Sequence, residues 1–169
     1  FWDQLTAKIA SVSGVDSVGL VSCPPLSCHW GRFYTAEGQA PLKPGEANPV
    51  VLGRPASAGY FKAMGIRLKS GRFFTEQDGR RGDRVAIVNE SFAQRFWPGL
   101  NDPVGKRFRP AGGDETTWTT VVGYVADVKH YGLERPMRPG IYYPFSGGHT
   151  TLTVAIRTTG DPETFTPMA

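Results

Sequence analysis

Three apolar residues at helical spacing open the chain. Leu5, Ile9 and Val12 fall at i, i+4 and i+7, which predicts a helix over 3–13 with Asp3 as cap and Gly14 as its left-handed stop. The stripe is narrow and leaves Lys8, Ser11 and Ser13 to water, so this helix should lie along a sheet. A short strand, Ser17 to Ser22, comes next. It ends at Cys23-Pro24-Pro25, because consecutive prolines can neither continue a central ladder nor enter a helix interior. Residues 36–49 carry Gly38, Pro41, Pro44, Gly45 and Pro49 and read as a loop or edge excursion.

Two strand-to-helix units follow. In the first, Val50 to Leu52 is a strand and Ser57 caps a helix through Met64, with Tyr60, Phe61 and Met64 on one side and Gly65 as the stop. In the second, Arg84 to Val88 is a strand, Asn89 or Ser91 caps the helix, and Phe92 and Phe96 share a face before Trp97-Pro98-Gly99. Helices are thus expected near 57–64 and 90–97, each leading onward into strand. Both units run on to similar tetrads, Gly71-Arg72-Phe73-Phe74 and Gly105-Lys106-Arg107-Phe108, too short to count as a repeat. The last third alternates as strands do, in 117–126, 141–144 and 151–157. Asp161-Pro162-Glu163 then opens a helix, with a cap, proline at the first helical position and an acid in the first turn.

Periodicity of this kind describes an α+β fold without a doubly wound parallel sheet, and 169 residues suffice for one domain or two small lobes on a shared core. The chain begins at Phe1 and shows no basic segment leading into an apolar one, so no export signal is visible. Its longest apolar runs, near Val18–Val21 and Val85–Val88, are strand-sized and cannot span a bilayer. Charge changes the picture little. The net charge is +4, and residues 62–109 hold 11 Lys/Arg against 5 Asp/Glu, which suits a solvated face or a mild preference for anionic surroundings. Basic residues do not alternate with aromatics in any nucleic-acid-reading pattern, so no nucleic acid is expected as a partner.

Candidate chemistry is sparse. Cys23, Cys28 and His29 form a C-x4-C-H cluster with four readings: a local disulfide in an oxidising compartment, which is the leading one, buried free thiols, a metal site completed by remote His130 or His149, or covalent haem. Asp127, Lys129, His130 and Tyr131 lie together after a strand. Without a second carboxylate at a fixed offset or a nearby nucleophile, they read as structural or hydrogen-bonding residues. Gly112-Gly113 and Gly147-Gly148 are turn signals, since neither leads into a helix or a Lys-Ser/Thr pair, so ATP chemistry is not encoded here. No catalytic residue, cofactor or metal site is assigned.

Four stretches, taken in order, resemble the extracytoplasmic domain of MacB/FtsX-type ABC transporter permeases, especially a branch of large orphan permeases. They are Val12-Ser13-Gly14-Val15-Asp16-Ser17-Val18; Tyr60-Phe61-Lys62-Ala63-Met64-Gly65-Ile66 with Gly71 to Asp78; Val85 to Glu90 with Phe96 to Gly99 and Asp102 to Phe108; and Val121 to His130 with Arg138 to Pro144. The resemblance implies a single α+β domain over 1–169, with a porter-like βαβ lobe and a smaller β-rich lobe, divided at about 14–70 plus 150–169 and 71–149. It implies a non-enzymatic module on the extracytoplasmic face of the cell membrane that transmits conformational change. Its partners would be the permease's membrane helices, a cytoplasmic ATPase subunit and a periplasmic protein.

The oxidising compartment that follows favours a Cys23 to Cys28 disulfide. The family's domain continues past the helix at Asp161, so this chain is expected to stop short of the second membrane helix. Phe1 should emerge exposed at an extremity. Two rivals are a free-standing periplasmic binding protein, which needs a deep apolar pocket, and a redox or metal protein built on Cys23, Cys28 and His29.

Overall fold

The structure is a computed structural model that describes residues 1–27, 30–39, 45–79, 82–114, 116–130, 132, 134–145 and 151–163. Its elements in chain order are α1 (Trp2–Ala10), β1 (Val15–Val21), β2 (Gly31–Arg32), β3 (Tyr34–Ala36), β4 (Val51–Ala56), α2 (Ala58–Ala63), β5 (Leu68–Gly71), β6 (Val85–Asn89), α3 (Glu90–Phe96), β7 (Arg107–Pro110), β8 (Thr119–Val125), β9 (Gly140–Pro144) and β10 (Thr153–Thr158). Among the described residues all ten strands join one sheet, ordered β10-β1-β4-β9-β6-β8-β7-β3, with β2 added to β4 and β5 to β8. Parallel pairing occurs between β4 and β9 and between β6 and β8, and the remaining pairs are antiparallel. The fold is the expected mixture of strands and few helices.

Side chains on a strand alternate between its faces, and the central strands use both. Val88 and Ile141 pack with Phe92, Phe96, Trp97 and Phe108 in one core cluster. Their sequence neighbours Ile87 and Tyr142 pack with Tyr60, Phe61 and Phe74 in a second. α3 therefore covers one face and α2 the other. Sequential strands in this sheet are seldom spatial neighbours: β9 lies between β4 and β6, while β3 and β5 pair with β7 and β8.

Several boundaries differ from those expected. α1 stops at Ala10, and Val12 and Val15 are carried on by tight turns, with Val12 N–H donating to Ile9 O at 3.1 Å and Val15 N–H to Val12 O at 3.1 Å. Asp3 lies inside the first turn, and Phe1 occupies the cap position without a side-chain bond. β4 runs on to Ala56 through Pro55. The Pro55 carbonyl accepts from Ser22 N–H at 3.0 Å, so the face of the residue that lacks N–H is turned away from β9 and the parallel ladder loses nothing. Met64 is exposed, and Ala63 takes its place on the buried face of α2. β2 and β3 fall in a stretch with no alternation long enough to announce them. Asp161 Oδ1 accepts from Glu163 N–H at 3.0 Å, as a cap would, and the rest of the helix expected there lies outside the described residues.

Candidate functional site

Two helices are fixed to the sheet by different devices, and the third lies along β1 without burying a residue fully. At α3 the device is Asn89, buried at 5% exposure. Its Oδ1 accepts from Phe92 N–H at 3.0 Å and from Gly140 N–H at 2.8 Å, and its Nδ2 donates to Arg138 O at 2.9 Å. One amide thus caps the helix and ties the end of β6 to the start of β9. Asp127, just past β8, accepts from Ser91 N–H at 3.1 Å and Oγ at 2.6 Å, and its own N–H donates to Glu90 Oε2 at 3.1 Å. Lys69 of β5 closes the group by pairing with Glu90. The acid expected to bond structurally is therefore part of the seat of α3.

α2 is held by backbone proximity and by aromatic rings. A Cβ on Gly19 would come within 2.2 Å of Tyr60 Cα, and one on Gly59 within 2.1 Å of Val18 O, so glycine at both positions is what lets α2 lie directly on β1. Ser57 does not use its side chain as a cap. Its Oγ accepts from Leu20 N–H at 2.8 Å and stitches the helix start to β1. Phe61 is then enclosed by Phe73 at 4.9 Å, Phe74 at 5.7 Å and Tyr142 at 5.1 Å between ring centroids. The loop supplying Phe73 and Phe74 is locked by Asp78, which accepts from Arg72 Nη1 at 2.7 Å and Nη2 at 3.0 Å and from Thr75 N–H at 2.7 Å. The guanidinium, followed by the Thr75 donors, holds the Asp78 carboxyl down at about 2.

The two similar tetrads now have a physical meaning. Phe74 meets Phe61 of α2, and Phe108 meets Phe92 of α3 with ring centroids 5.2 Å apart. Each tetrad returns an aromatic ring to the helix of its own unit. In the second, Arg107 pairs with Glu37, and Arg107 and Arg109 lie over Trp118 at 5.6 and 5.2 Å.

α1 differs from both. None of its residues is fully buried or belongs to either core cluster among the described residues; it lies along β1, with Trp2, Leu5 and Ile9 half-buried. Phe1 stands at 84% exposure, with its ring edge-on to Trp2 at 5.1 Å. Beside the apolar stripe, Asp3, Thr6, Ala7 and Ala10 line an open groove of about 450 Å³. The opposite wall comes from Val18 and Leu20 of β1, the start of α2, the Phe74–Asp78 loop, and Pro144 and Phe145.

The sequence-level candidates for chemistry do not converge there. Cys23 is buried, and no described cysteine is free; Cys28, His29, Tyr131 and His149 lie outside the described residues. Lys129 Nζ donates to Arg135 O at 3.3 Å on the surface. His130 is half-buried near Arg54, and its carbonyl accepts from Leu26 N–H at 3.1 Å. Burial, then the Arg54 charge, push its imidazole down to about 4. Among the described residues no three His, Cys, Asp or Glu side chains are grouped to hold a metal ion, and no helix is long and apolar enough to cross a membrane. Arg54, an arginine in the middle of β4 that is 2% exposed among Tyr60, Tyr142 and His130, carried no signal that pattern reading would have caught.

Known proteins place the fold. No curated protein matches the chain. The periplasmic region of MacB from Actinobacillus actinomycetemcomitans superposes with a TM-score of 0.66 at 16% identity, over 98% of this chain and 69% of that one. The extracellular domain of the noncanonic ABC-type transporter YknZ from Gram-positive bacteria does so with a TM-score of 0.59 at 18% identity, over 98% and 76%. In sequence, residues 8–166 match the family described as the MacB-like periplasmic core domain. The chain belongs to that family, the domain that MacB-type ABC transporter permeases carry on the extracytoplasmic face of the membrane.

Proposed function

We propose that this domain is a mechanical relay, passing conformational change between the membrane helices of its permease and a periplasmic partner or substrate path, with a cytoplasmic ATPase subunit as the source. α1 is the input and runs on from a membrane helix. The body of the sheet, with α2 and α3 seated on its two faces, is the part that is moved. The observation that carries this reading is a contrast in burial: α1 starts at an exposed Phe1 and has no fully buried residue, while the other helices are locked by buried bonds and rings. A relay needs that combination, because a force is transmitted by a rigid body through a joint that yields. No bond chemistry enters this role. Division of the body into lobes at about 14–70 plus 150–169 and 71–149 belongs to the same proposal.

The intact permease with its ATPase, reconstituted in nanodiscs, provides the test. Hydrogen exchange in β1 and β10 is expected to change on adding ATP, and a Gly-Ser-Gly-Ser insertion between Ser13 and Gly14 is expected to abolish that response while leaving exchange in β6 and α3 as it was. A response that survives the insertion would mean that motion reaches the sheet by another route.

A further inference from the structure

We infer that the small pocket at the amino ends of β4 and β9 is an oxyanion site, which takes one oxygen of a phosphate group against His130 with Lys129, Arg135 and Arg138 around it. Leu52 of β4 and Met137 supply apolar parts of its lining. The pocket lies apart from the groove beside α1, which is lined by the opposite ends of the same two parallel strands, at Ala56 and Pro144. Binding there is a role that does not depend on the relay.

His130 Nδ1 is shielded from water and has no hydrogen-bond partner among the described residues, a condition that costs stability until another group fills it. The pocket that His130 lines measures about 10 Å³, room for one water-sized atom. A water would serve in neutral surroundings, but these are positive: three lining side chains are Lys129, Arg135 and Arg138, and no Asp or Glu is among the described lining residues. The acids nearest in sequence lie elsewhere, Asp127 bonded to Ser91 N–H and Oγ and Glu134 exposed outside the lining. Arg54 of β4, 2% exposed, adds a fixed charge that acts on His130. Burial, then that charge, keep the imidazole neutral down to about pH 4. At neutral pH a ring with its proton on Nδ1 therefore donates one bond into a positive field, which is what an oxyanion accepts.

The backbone carrying these cations is held at three points. The His130 carbonyl accepts from Leu26 N–H at 3.1 Å, the Arg135 carbonyl from Lys129 Nζ at 3.3 Å, and the Arg138 carbonyl from Asn89 Nδ2 at 2.9 Å. The last of these donors belongs to the buried amide that caps α3, so the pocket is tied to the core. Phosphate suits the set, because guanidinium groups grip it through paired N–H donors and an ammonium adds a point charge. Lys129, Arg135 and Arg138 are exposed, which leaves the remainder of the ligand in solvent and admits either inorganic phosphate or the phosphate of a lipid headgroup.

Long-range proton–nitrogen NMR of the 169-residue chain reads the His130 ring directly, its signals assigned by their loss in His130→Gln. Inorganic phosphate is expected to shift them saturably and to move the ring's titration midpoint up from about 4 toward its ordinary 6.5, because a bound anion favours the imidazolium. Chloride at the same ionic strength should do neither. Replacing both exposed cations, Lys129→Ala with Arg135→Ala, should weaken phosphate binding by about tenfold or more at unchanged melting temperature. Should that variant fail to fold, the comparison of phosphate with chloride decides alone. Vesicles separate the sources: sedimentation with phosphatidylglycerol and not with phosphatidylcholine, competed by free phosphate, assigns the site to a lipid headgroup, whereas phosphate binding without sedimentation assigns it to the free anion. Equal responses to phosphate and chloride, or phosphate binding undiminished in the folded double variant, overturn the site.

Discussion

α1 and α3 are similar in length and both are amphipathic, yet one is an appendage and the other part of the core. α3 begins at a capped, buried asparagine and places Phe92, Ala93 and Phe96 out of water. α1 begins at an uncapped phenylalanine and puts none of its side chains fully inside. Amphipathicity alone does not seat a helix. What separates the two is that the first turn of α3 finds a buried side-chain partner in Asn89 and its apolar stripe is fully buried, while α1 has neither a side-chain cap nor a fully buried stripe.

The hardest test of this contrast is Phe92→Ala. Phe92 is fully buried and touches Phe96, Trp97 and Phe108, so truncation is expected to cost about 3–5 kcal/mol in urea unfolding. A loss below about 1 kcal/mol would mean the α3 face is not a close-packed core.

Next in size is the proposed Cys23–Cys28 bridge. Closing a loop of about six residues is worth about 2 kcal/mol, and the bond would pin the turn whose Leu26 N–H reaches His130 O. Titration of unreduced, unfolded protein should find no free thiol, and reduction should lower the unfolding midpoint by about that amount. Two reactive thiols would remove the bridge from the account.

Acid should weaken the body in two separate windows. His130 is held at about 4, below its ordinary 6.5, so the folded state resists its protonation and stability falls as pH drops from about 6.5 toward 4. Asp78 is held at about 2, below its ordinary 3.8, so the stability it lends is present above about pH 4 and is lost as pH falls through 2. Asp78 contributes about 1–2 kcal/mol, discounted because its partner Arg72 is half-exposed. His130→Gln should flatten the upper window of a stability–pH curve and Asp78→Asn the lower, while a curve unchanged by both substitutions would contradict these assignments.

The smallest effect belongs to α1. Ile9 is half-buried and in neither cluster, so Ile9→Ala is expected to cost less than about 1 kcal/mol. A loss comparable with that of Phe92→Ala would make α1 a core helix and close the gap between the two.

Much of this contrast could be read before the fold was known. The stripes at Leu5, Ile9 and Val12 and at Phe92 and Phe96 locate both helices, and Asn89 is one of the two residues whose type and place suit the cap of α3. Spacing does not encode what the partner surface is, so it could not tell which stripe would be enclosed. The seat of α3 depends on Asp127 and Gly140, and the clamp on Phe61 on Tyr142, all remote in sequence. β2 and β3 are too short to establish a period, and Arg54 interrupts an apolar strand without any neighbour in sequence to explain it. The groove has no counterpart in the hydrophobic pattern, because its lining comes from α1, β1, α2, the Phe74–Asp78 loop and Pro144 and Phe145, segments remote in sequence. Family membership was legible for a different reason: the turn and tetrad residues, Gly71 to Asp78 and Gly105 to Phe108, carry the lock and the aromatic returns that the fold requires.

Native-state hydrogen exchange in the intact permease tests the central claim most directly, because it measures attachment amide by amide. Without nucleotide, the Leu5 and Ser11 amides, bonded to Phe1 O and Ala7 O, should exchange through openings far cheaper than those that expose Phe92 and Trp97. With ATP bound to the ATPase subunit, protection should change in α1 while α3 stays as it was. Contradiction would come from α1 amides as slow to exchange as those of α3 and indifferent to nucleotide, for the domain would then have no yielding joint through which to be moved.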